Sequence, residues 1–364
     1  MKGSVQSSRG KWWVVFYEGR DPTTGRKSYK WVSGWDTKAD AEQERIRINY
    51  EMGLGSYVQP TKLTVADFLQ RWLCDYARQS VAPKTFERYE EIIRSRLVPA
   101  LGAHRLSDLS ALQIQGAQTR WLASGRAAQT VVHYRRVLNV ALAHAVKWGL
   151  LPRNPSAGVS LPRPEKREIR VPSAEELQRL LAAAEAAGFW LPVVLAVGTG
   201  LRMGEILGLR WEDIDLDRGL LVVRQSLEQT RNGLRFKSPK THRSRRPVYL
   251  PPFVSEVLGA QRAERGLLFA NAGGEPRWSV QSASRVFAQV ADQAGVPDTR
   301  FHDLRHYHAS TLLRQGANVK LIQERLGHAR VQTTMDIYTH TAEDDHRELA
   351  ERMENFLSER SSGH

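Results

Sequence analysis

The stretch between residues 151 and 172 constrains the fold of this chain more than any other feature. It contains Pro152, Pro155, Pro162 and Pro164 and shows no apolar periodicity. Proline removes a backbone donor and disfavours helical geometry in the residue before it, so such a stretch is typical of an extended connection. A chain of 364 residues also exceeds one ordinary core, which favours two or three domains. We therefore predict an extended basic linker at 151–172.

Residues 1–56 have a composition of their own. Two runs, 11–17 and 28–32, are rich in aromatic and β-branched residues, and turn-forming residues separate them. A helical pattern follows, with Thr37 as its N-cap. The segment therefore predicts a small three-stranded sheet with one helix across it. Sheets can enter a DNA groove, and the basic candidates for such contacts are Arg20, Arg26, Lys27 and Lys30. The alternative is that the tryptophans simply form a small core.

Helical periodicity dominates residues 61–150. It predicts helices over 65–78, from 83 to about 98, over 111–123 and over 128–148. The fourth helix carries basic side chains opposite its apolar stripe, namely Arg135, Arg136 and Lys147. This face is a candidate DNA contact, although a solvated charged face is at least as common.

Residues 173–364 mix helices with strands. A capping box at 173–176 opens a helical region that extends to about residue 209. A β-meander is predicted from strands at 220–223, 234–237 and 247–250, with Asn232-Gly233 as a hairpin turn. More helices follow. The chain is therefore predicted to be multidomain and mainly α, with a small N-terminal sheet, a helical domain and a mixed α+β third domain.

The charge balance favours a polyanionic partner. Lys and Arg number 53 against 39 Asp and Glu, which gives a net charge of +14 and predicts salt-sensitive binding. The single Cys74 excludes an intramolecular disulfide and fits a reducing cytosol. No apolar run reaches about 18 residues, and the first residues lack the apolar block of a secretory signal. These features predict a soluble cytoplasmic protein that does not bind a membrane.

Two arginines of the third domain have surroundings that suit a phosphate. Arg202 follows a glycine that breaks one helix, and Glu205 lies close enough on the next helix to hold its guanidinium. His302 and Arg305 lie one helical turn apart, hence on one face. An arginine fork matches two phosphate oxygens, and a histidine can transfer a proton. Taken alone, the Arg202–Glu205 pair is more often a plain surface salt bridge.

Further candidates lie between and after these residues. Tyr338 offers a phenol that can attack a phosphate and hold it covalently. His328 follows a glycine at a helix junction, where a lone histidine is usually structural. Lys240 or Lys237, on a hairpin, can reach into a groove and protonate a leaving oxygen. The basic residues beside them are candidate phosphate contacts without sequence information: Arg243, Arg245 and Arg246.

A zinc interpretation competes for His302 and His306. Their spacing on a helix is that of a metalloprotease motif. The general-base position is Asp303 rather than Glu, Arg305 stands beside the metal, and no glycine-spaced third ligand follows. The sequence therefore favours no metal and no cofactor.

The motifs TGLRMGEI, SPKTHRSRRPVYLP, HDLRHYHAS and LGHARVQTTMDIYTH together resemble the tyrosine recombinase (phage integrase) family. The resemblance is strong over about 173–345 and general over 61–150, and residues 1–56 more loosely resemble an arm-type DNA-binding domain. It implies that Arg202 and Arg305 bind the scissile phosphate and that Lys240 is the general acid. It further implies that His302 assists proton transfer, His328 binds a phosphate oxygen and Tyr338 is the nucleophile.

The resemblance also implies partners and rivals. A homotetramer would act on double-stranded DNA at core-type and arm-type attachment sites, through a 3′-phosphotyrosine and a Holliday junction. A directionality factor and a host DNA-bending protein would assist integration and excision of a phage or mobile element. The alternatives are a housekeeping recombinase that resolves chromosome dimers, a relaxing topoisomerase, and a DNA-binding regulator with an unused site. The additional domain at 1–56 argues against the housekeeping enzyme.

Overall fold

A computed structural model describes residues 3–21, 24–53, 62–165, 171–238 and 245–327. The chain divides into two compact units, residues 1–165 and 166–364. Four predicted site residues lie outside the described residues: Lys240, Arg243, His328 and Tyr338. Their roles therefore stay predictions. In the described ranges, no helix is long and apolar enough to cross a membrane.

The N-terminal segment forms the predicted three-stranded antiparallel sheet and helix. Strands β1 (Ser4–Ser8), β2 (Lys11–Arg20) and β3 (Lys27–Trp35) pair in chain order. Helix α1 (Lys38–Gly53) follows, and the backbone N–H of Asp40 donates to Thr37 Oγ1 at 3.2 Å, as expected of an N-cap. One sheet face and the helix share a small apolar core, formed by Val14, Phe16, Val32, Ala41 and Ile48.

The tryptophans of the sheet divide between core and surface. Trp12 and Trp35 pack against the core, whereas Trp31 is 47% exposed and meets Trp13 edge to face. Tyr17 and Tyr29 are also exposed and lie 5.6 Å apart between ring centroids. Basic side chains on this sheet are exposed as well: Arg20, Arg26 and Lys27. The sheet therefore presents an aromatic and basic surface.

Four helices form the helical domain. Helix α2 covers 65–80 and helix α3 covers 83–101, and each contains a five-residue π-helical turn. Helices α4 (Ala111–Ala123) and α5 (Ala128–Lys147) complete the bundle. The predicted end of the second helix near residue 98 was wrong, since α3 continues past Pro99 to Leu101. The π turn Ile93–Leu97 changes the hydrogen-bond register just before Pro99, where a missing N–H is best tolerated.

The first part of the predicted linker belongs to this domain. Leu151 and Val159 lie in its core, and Pro155–Gly158 forms a 3-10 turn. Gln118 Nε2 donates to Ser160 O at 2.9 Å. The prediction of an extended linker starting at residue 151 was therefore wrong for 151–160, because apolar side chains among the prolines give this stretch a surface to bury.

Arg135 is not on the solvent face that a DNA contact requires. Its side chain is 3% exposed, and its Nη2 donates to Ser156 O at 2.8 Å. The sequence gives the reason, because Val131, Arg135 and Leu138 recur at helical spacing and so share the buried stripe. The neighbouring Arg136 is exposed. The placement predicted for Arg135 was wrong, whereas that of Arg136 fits.

The second unit packs helices around two small sheets. The helices are α6 (Ala174–Ala186), α7 (Trp190–Thr199), α8 (Met203–Leu207), α9 (Pro252–Gly259), α10 (Val280–Gln293), α11 (Phe301–Arg314) and α12 (Val319–Leu326). Their apolar faces bury a continuous core that includes Leu180, Phe189, Val193 and Phe287.

The strands of this unit do not form one meander. Strands β4 (Ile214–Asp215), β5 (Leu220–Val223), β6 (Ser226–Thr230), β7 (Gly233–Lys237) and β8 (Arg246–Tyr249) divide into a sheet of order β4-β5-β8 and a separate β6–β7 hairpin. In the sheet, Leu221 pairs with Val248 across β5 and β8, and both side chains are buried. Pairing these apolar strands stabilises the core, whereas β7 carries the exposed Leu234. The predicted meander pairing was therefore wrong.

Candidate active site

The site begins where α7 ends at Gly200. This residue has φ 69°, and a Cβ there would lie 2.6 Å from Leu326 Cδ2 and 2.7 Å from His308 Cδ2. A left-handed backbone in such close contact requires glycine. The turn places Arg202 at the N-cap of α8, beside the ends of two other helices.

Arg202 is held by Glu205, as predicted. Its Nη1 donates to Glu205 Oε1 at 2.8 Å, and its backbone N–H donates to Oε2 at 3.0 Å. Its Nη2 donates to Gly327 O at 3.4 Å. The side chain remains 41% exposed. A guanidinium has five N–H donors, so these bonds orient Arg202 and leave donors for an incoming anion.

Arg305, on α11, lies beneath the same point. Its Nη1 donates to Gly200 O at 2.6 Å and its Nη2 to Leu326 O, and the side chain is 1% exposed. Burial, and to a lesser extent the charge of Arg202, lowers the pKa of Arg305 well below its ordinary value, while Glu205 acts in the opposite direction. An anion between Arg202 and Arg305 would relieve that repulsion.

Glu205 has a second guanidinium partner that the sequence interpretation assigned elsewhere. Arg246 Nη2 donates to Glu205 Oε2 at 2.9 Å and Nη1 to Oε1 at 3.2 Å, and both side chains are buried. Burial alone raises the pKa of Glu205, but the hydrogen bonds and charge of Arg246, followed by the charge of Arg202, lower it to about 2. The prediction of Arg246 as a phosphate contact was therefore wrong. The period of two in β8 was the signal, since it places Arg246 on the face of the buried Val248.

The C-terminus of α12 is bound by three arginines. Arg246, Arg305 and Arg202 donate, in that order, to the carbonyls of residues 325–327. The last carbonyls of a helix have no partner within it and carry its negative dipole end, so cations are favoured there. The arrangement fixes the point from which the chain continues to His328.

A second polar pair that the sequence interpretation missed supports this helix end. His308 Nδ1 lies 2.8 Å from Val197 O, and because a carbonyl oxygen can only accept, this nitrogen carries the proton. His308 Nε2 then accepts from Arg325 Nε at 3.0 Å. Arg325 Nη2 also donates to the carbonyls of Gly198 and Tyr249. Burial and the Arg325 charge lower the pKa of His308 to about 4, which fits a neutral ring.

His302 stands beside Arg202 at the wall of a cavity of about 360 Å³. Leu201, Phe287 and Arg300 line the same cavity. Desolvation by the surrounding protein, followed by the charges of His306, Arg305 and Arg202, lowers the pKa of His302 to about 4. The ring is therefore neutral at pH 7 and able to accept a proton. A phosphate anion bound here would raise this pKa.

The alternative metal pair has a different arrangement around it. The rings of His302 and His306 meet edge to face, 4.9 Å apart between centroids. Asp303 accepts from the backbone N–H of Arg300 at 2.8 Å and so caps α11. Within the ranges that the structure describes, no group of three His, Cys, Asp or Glu side chains could hold a metal ion.

The two lysine candidates remain open. Lys237 Nζ lies 3.4 Å from Glu228 Oε2, and Arg235 Nε lies 3.2 Å from the other oxygen of that carboxylate. Lys240 is outside the described residues, so the structure does not compare them. Arg245 is exposed at the edge of β8.

The fold and the site together define an enzyme class. In this basic chain, two oriented arginines and a neutral histidine lie near the end of α12. A helical domain and a basic sheet precede them in the sequence. Such a site suits phosphoryl transfer on a nucleic-acid backbone. The model of the phage integrase family matches residues 171–345, and that of the phage integrase N-terminal SAM-like domain matches 64–122. The chain belongs to the phage integrase family of tyrosine recombinases, which break and rejoin DNA.

Several relatives match most of the chain. A protein named tyrosine recombinase XerC-like from Caldanaerobacter subterraneus subsp. tengcongensis is 29% identical over 337 residues, covering 84% of this chain and 86% of the relative. An integrase from Streptomyces ambofaciens is 28% identical and covers 91% of this chain and 89% of its own length. The integrase of Mycobacterium phage FRAT1 is 28% identical, with coverages of 80% and 88%.

Solved structures share the fold. The Tn1549 transposon integrase in complex with a circular intermediate DNA has a TM-score of 0.70 at 19% identity, covering 80% of this chain and 99% of that chain. A lambda integrase dimer bound to a COC′ core site has a TM-score of 0.61 at 21% identity, with coverages of 94% and 95%. These likenesses confirm the predicted multidomain, mainly α fold.

Proposed function

We propose that this tyrosine recombinase is a site-specific integrase that inserts and excises a phage or mobile element. The observation that carries the proposal is the pair Arg202 and Arg305, which are anchored to one helix end with the neutral His302 beside Arg202. In sequence order, the remaining candidates Lys240, His328 and Tyr338 complete the set that the family resemblance implies.

In the proposed reaction, Arg202 and Arg305 hold the scissile phosphate. The Tyr338 oxygen bonds to phosphorus, and His302 assists the transfer of its proton, which the neutral ring can accept. The bond from phosphorus to the 5′ oxygen breaks, and Lys240 protonates that oxygen. The products are a 3′-phosphotyrosine and a 5′ hydroxyl. Attack by the 5′ hydroxyl of a second strand reverses these steps and rejoins the DNA.

The proposed reaction draws its positive charge from two arginines and conserves the energy of the DNA phosphodiester. Two guanidiniums offset the negative charge that builds on the phosphorus oxygens, a task that metal ions perform in other enzymes. The phosphotyrosine keeps the energy of the phosphodiester, so strand exchange needs no nucleotide. We therefore propose a reaction without metal or ATP.

The domains are proposed to divide the work of DNA binding. The exposed Arg20, Arg26 and Lys27 support residues 1–56 as a reader of arm-type sites, and Lys30 belongs to the same set. The helical domain, with the exposed Arg136, would bind core-type sites. Arg243 and Arg245 would contact the backbone near the scissile phosphate.

Partners follow from the proposed reaction. Exchange of two strand pairs requires four active sites, and a lambda integrase tetramer bound to a Holliday junction has a similar fold, with a TM-score of 0.59 at 22% identity. We propose a homotetramer on two duplexes in the nucleoid of a bacterial host. A directionality factor and a DNA-bending protein of the host would bias the reaction toward integration or excision.

The rival within the family is a chromosome-dimer-resolving recombinase. The relative named XerC-like favours it, whereas the sheet domain at 1–56 does not, because housekeeping enzymes of this type usually have two domains. A chain beginning at residue 60 distinguishes the two proposals. It should keep core-site cleavage and lose binding to a second class of sites if residues 1–56 read arm sites.

The decisive test of the proposed function is Tyr338→Phe. A nicked duplex is first selected from a random-sequence pool by covalent attachment to the wild-type chain, which requires no known attachment site. The Phe variant should bind the selected duplex within about threefold of wild type and form no adduct, because it loses the nucleophilic oxygen and keeps the ring. Adduct formation by the Phe variant, or none by the wild type, would contradict the proposal.

A further inference from the structure

Arg246 contacts two segments that carry candidates for the chemistry and follows a third in the sequence. It is the first residue of β8, six positions after Lys240. Its fork holds Glu205, the carboxylate that orients Arg202. Its Nε donates to Arg325 O at 2.6 Å, at the end of α12. A Cβ added to Gly327 would lie 3.0 Å from Arg246 Nη1, so the guanidinium also packs against the residue before His328.

The charges around Glu205 explain why one carboxylate has two arginines. Glu205 is needed to orient Arg202, since it accepts from both its side chain and its backbone. A carboxylate 2.8 Å from Arg202 also cancels much of the positive charge that Arg202 can offer to a phosphate. Arg246 supplies a second positive charge to the same carboxylate, in a buried place where screening by water is weak. Arg202 is then oriented without losing its pull on the anion.

Exposure separates the roles of the two arginines. The Arg202 side chain is 41% exposed, whereas that of Arg246 is 5% exposed. Arg202 can therefore meet a ligand, and Arg246 meets the protein. A buried bidentate pair of this kind fixes geometry as well as charge.

We propose that Arg246 is a positioning residue of the recombinase. It neutralises Glu205 so that Arg202 keeps its charge for the scissile phosphate, and it joins the end of α12 to the strand that follows Lys240. The inference rests on the proposed role of Arg202 as a phosphate ligand.

The test compares variants of the full chain on the selected nicked duplex. Arg246→Met removes the charge and keeps most of the side-chain bulk. Glu205→Gln combined with Arg246→Met also removes the charge that Arg246 neutralises. Arg224→Met is the matched control, since Arg224 Nε pairs with the buried Asp213 at 2.9 Å on another part of the unit. Rate of adduct formation at saturating DNA, dissociation constant and melting temperature are measured for each.

Arg246→Met should slow adduct formation at least about a hundredfold, the scale on which one lost charge-stabilising group acts. Its affinity for the duplex should stay within about threefold of wild type, because Arg202 and the other basic residues still attract DNA. The double variant should be at least about tenfold faster than Arg246→Met. The Arg224→Met rate should match wild type. A purely structural role would lower melting temperature and affinity together and would not separate rate from binding.

The proposal is overturned if folded Arg246→Met reacts within about threefold of wild type, or if the double variant is no faster than the single. If Arg246→Met does not fold, Arg246→Gln decides. It removes the charge, keeps a polar side chain and should be at least about tenfold slower with unchanged affinity, whereas a wild-type rate would overturn the role. Arg202→Ala tests separately the role of Arg202 on which this inference rests. If the Arg202→Ala chain still forms adduct at the wild-type rate, Arg202 is not the phosphate ligand, whatever the result at Arg246.

Discussion

Arg305 and Arg135 are both almost completely buried, and their surroundings differ. Arg305 is 1% exposed, donates to two helix-terminal carbonyls and lies in a cluster with Arg202 and Glu205. Arg135 is 3% exposed and donates to Ser156 O. Among the described residues, two of its guanidinium nitrogens (Nε and Nη1) are buried without a hydrogen-bond partner, against one (Nε) in Arg305. Burying a guanidinium is costly without full pairing. Burial therefore does not distinguish a functional arginine, and the groups around it do.

The largest expected effect concerns the first of these arginines. Arg305→Ala should lower the rate of adduct formation by about a thousandfold, because it removes one of the two guanidiniums that are proposed to hold the phosphate. Arg314→Ala, at an exposed position on the same helix, serves as control and should react as wild type. A loss below about tenfold in Arg305→Ala would place Arg305 with Arg135, as a residue of the core.

A smaller effect is expected in acid. The pKa of Glu205 is lowered from 4.5 to about 2 in the folded chain, so its contribution to stability is complete above pH 4.5 and is lost as the pH falls through 2. This shift corresponds to about 3 kcal/mol in the free energy of unfolding. Among the described residues, no carboxylate forms an ion pair with Arg135. The pH dependence of stability is therefore expected at the site of Arg305 and not at Arg135.

Urea unfolding of the full chain at pH 5 and pH 2.5 measures this effect. Other carboxylates titrate in the same window, so the comparison is made with Glu205→Gln, which should show a smaller loss between the two pH values. An equal loss in both proteins would mean that Glu205 is not held ionised by its arginines.

The smallest effect is expected at Arg135. Arg135→Met replaces an incompletely paired buried charge by an apolar chain of similar length, which often leaves stability unchanged or raises it. We expect a change in unfolding free energy within about 1 kcal/mol and unchanged affinity for duplex DNA. Arg136→Ala, one position on and exposed, is the companion variant and should weaken binding if this helix face lies on DNA. Tenfold weaker binding by a folded Arg135→Met would return Arg135 to the DNA surface.

Local signals predicted much of this molecule. Helix α4 begins after Ser110, whose side chain and Gln113 form a reciprocal capping box, and the predicted and observed bounds agree. The Arg202–Glu205 contact was predictable for a similar reason, since the two residues are three positions apart and side chains at that spacing meet on a helix. Arg246 could not be assigned this way, because 41 positions separate it from Glu205 and no local pattern links them.

Strand pairing failed for a related reason. Strands β5, β7 and β8 lie near their predicted positions, whereas β4 and β6 were not predicted. Pairing depends on which apolar faces meet in the core. β5 pairs with β8, although the β6–β7 hairpin lies between them in the sequence. This pairing depends on how the surrounding helices pack, which no local pattern shows. The choice between Lys237 and Lys240 is of the same kind, since Lys237 ends β7, Lys240 follows three positions later in the sequence, and the sequence does not show how far either side chain reaches.

The contacts of the three arginines with the end of α12 also determine when the site can form during synthesis of the chain. Arg202 is joined to Gly327 across 125 positions of the chain, and Arg305 to Gly200 across 105. A ribosome makes Arg202 long before the carbonyl of Gly327, and Arg305 only 21 positions before that of Leu326. The predicted nucleophile Tyr338 follows all of them. A nascent chain therefore contains basic side chains that can bind DNA before it contains the residues that are predicted to cleave it.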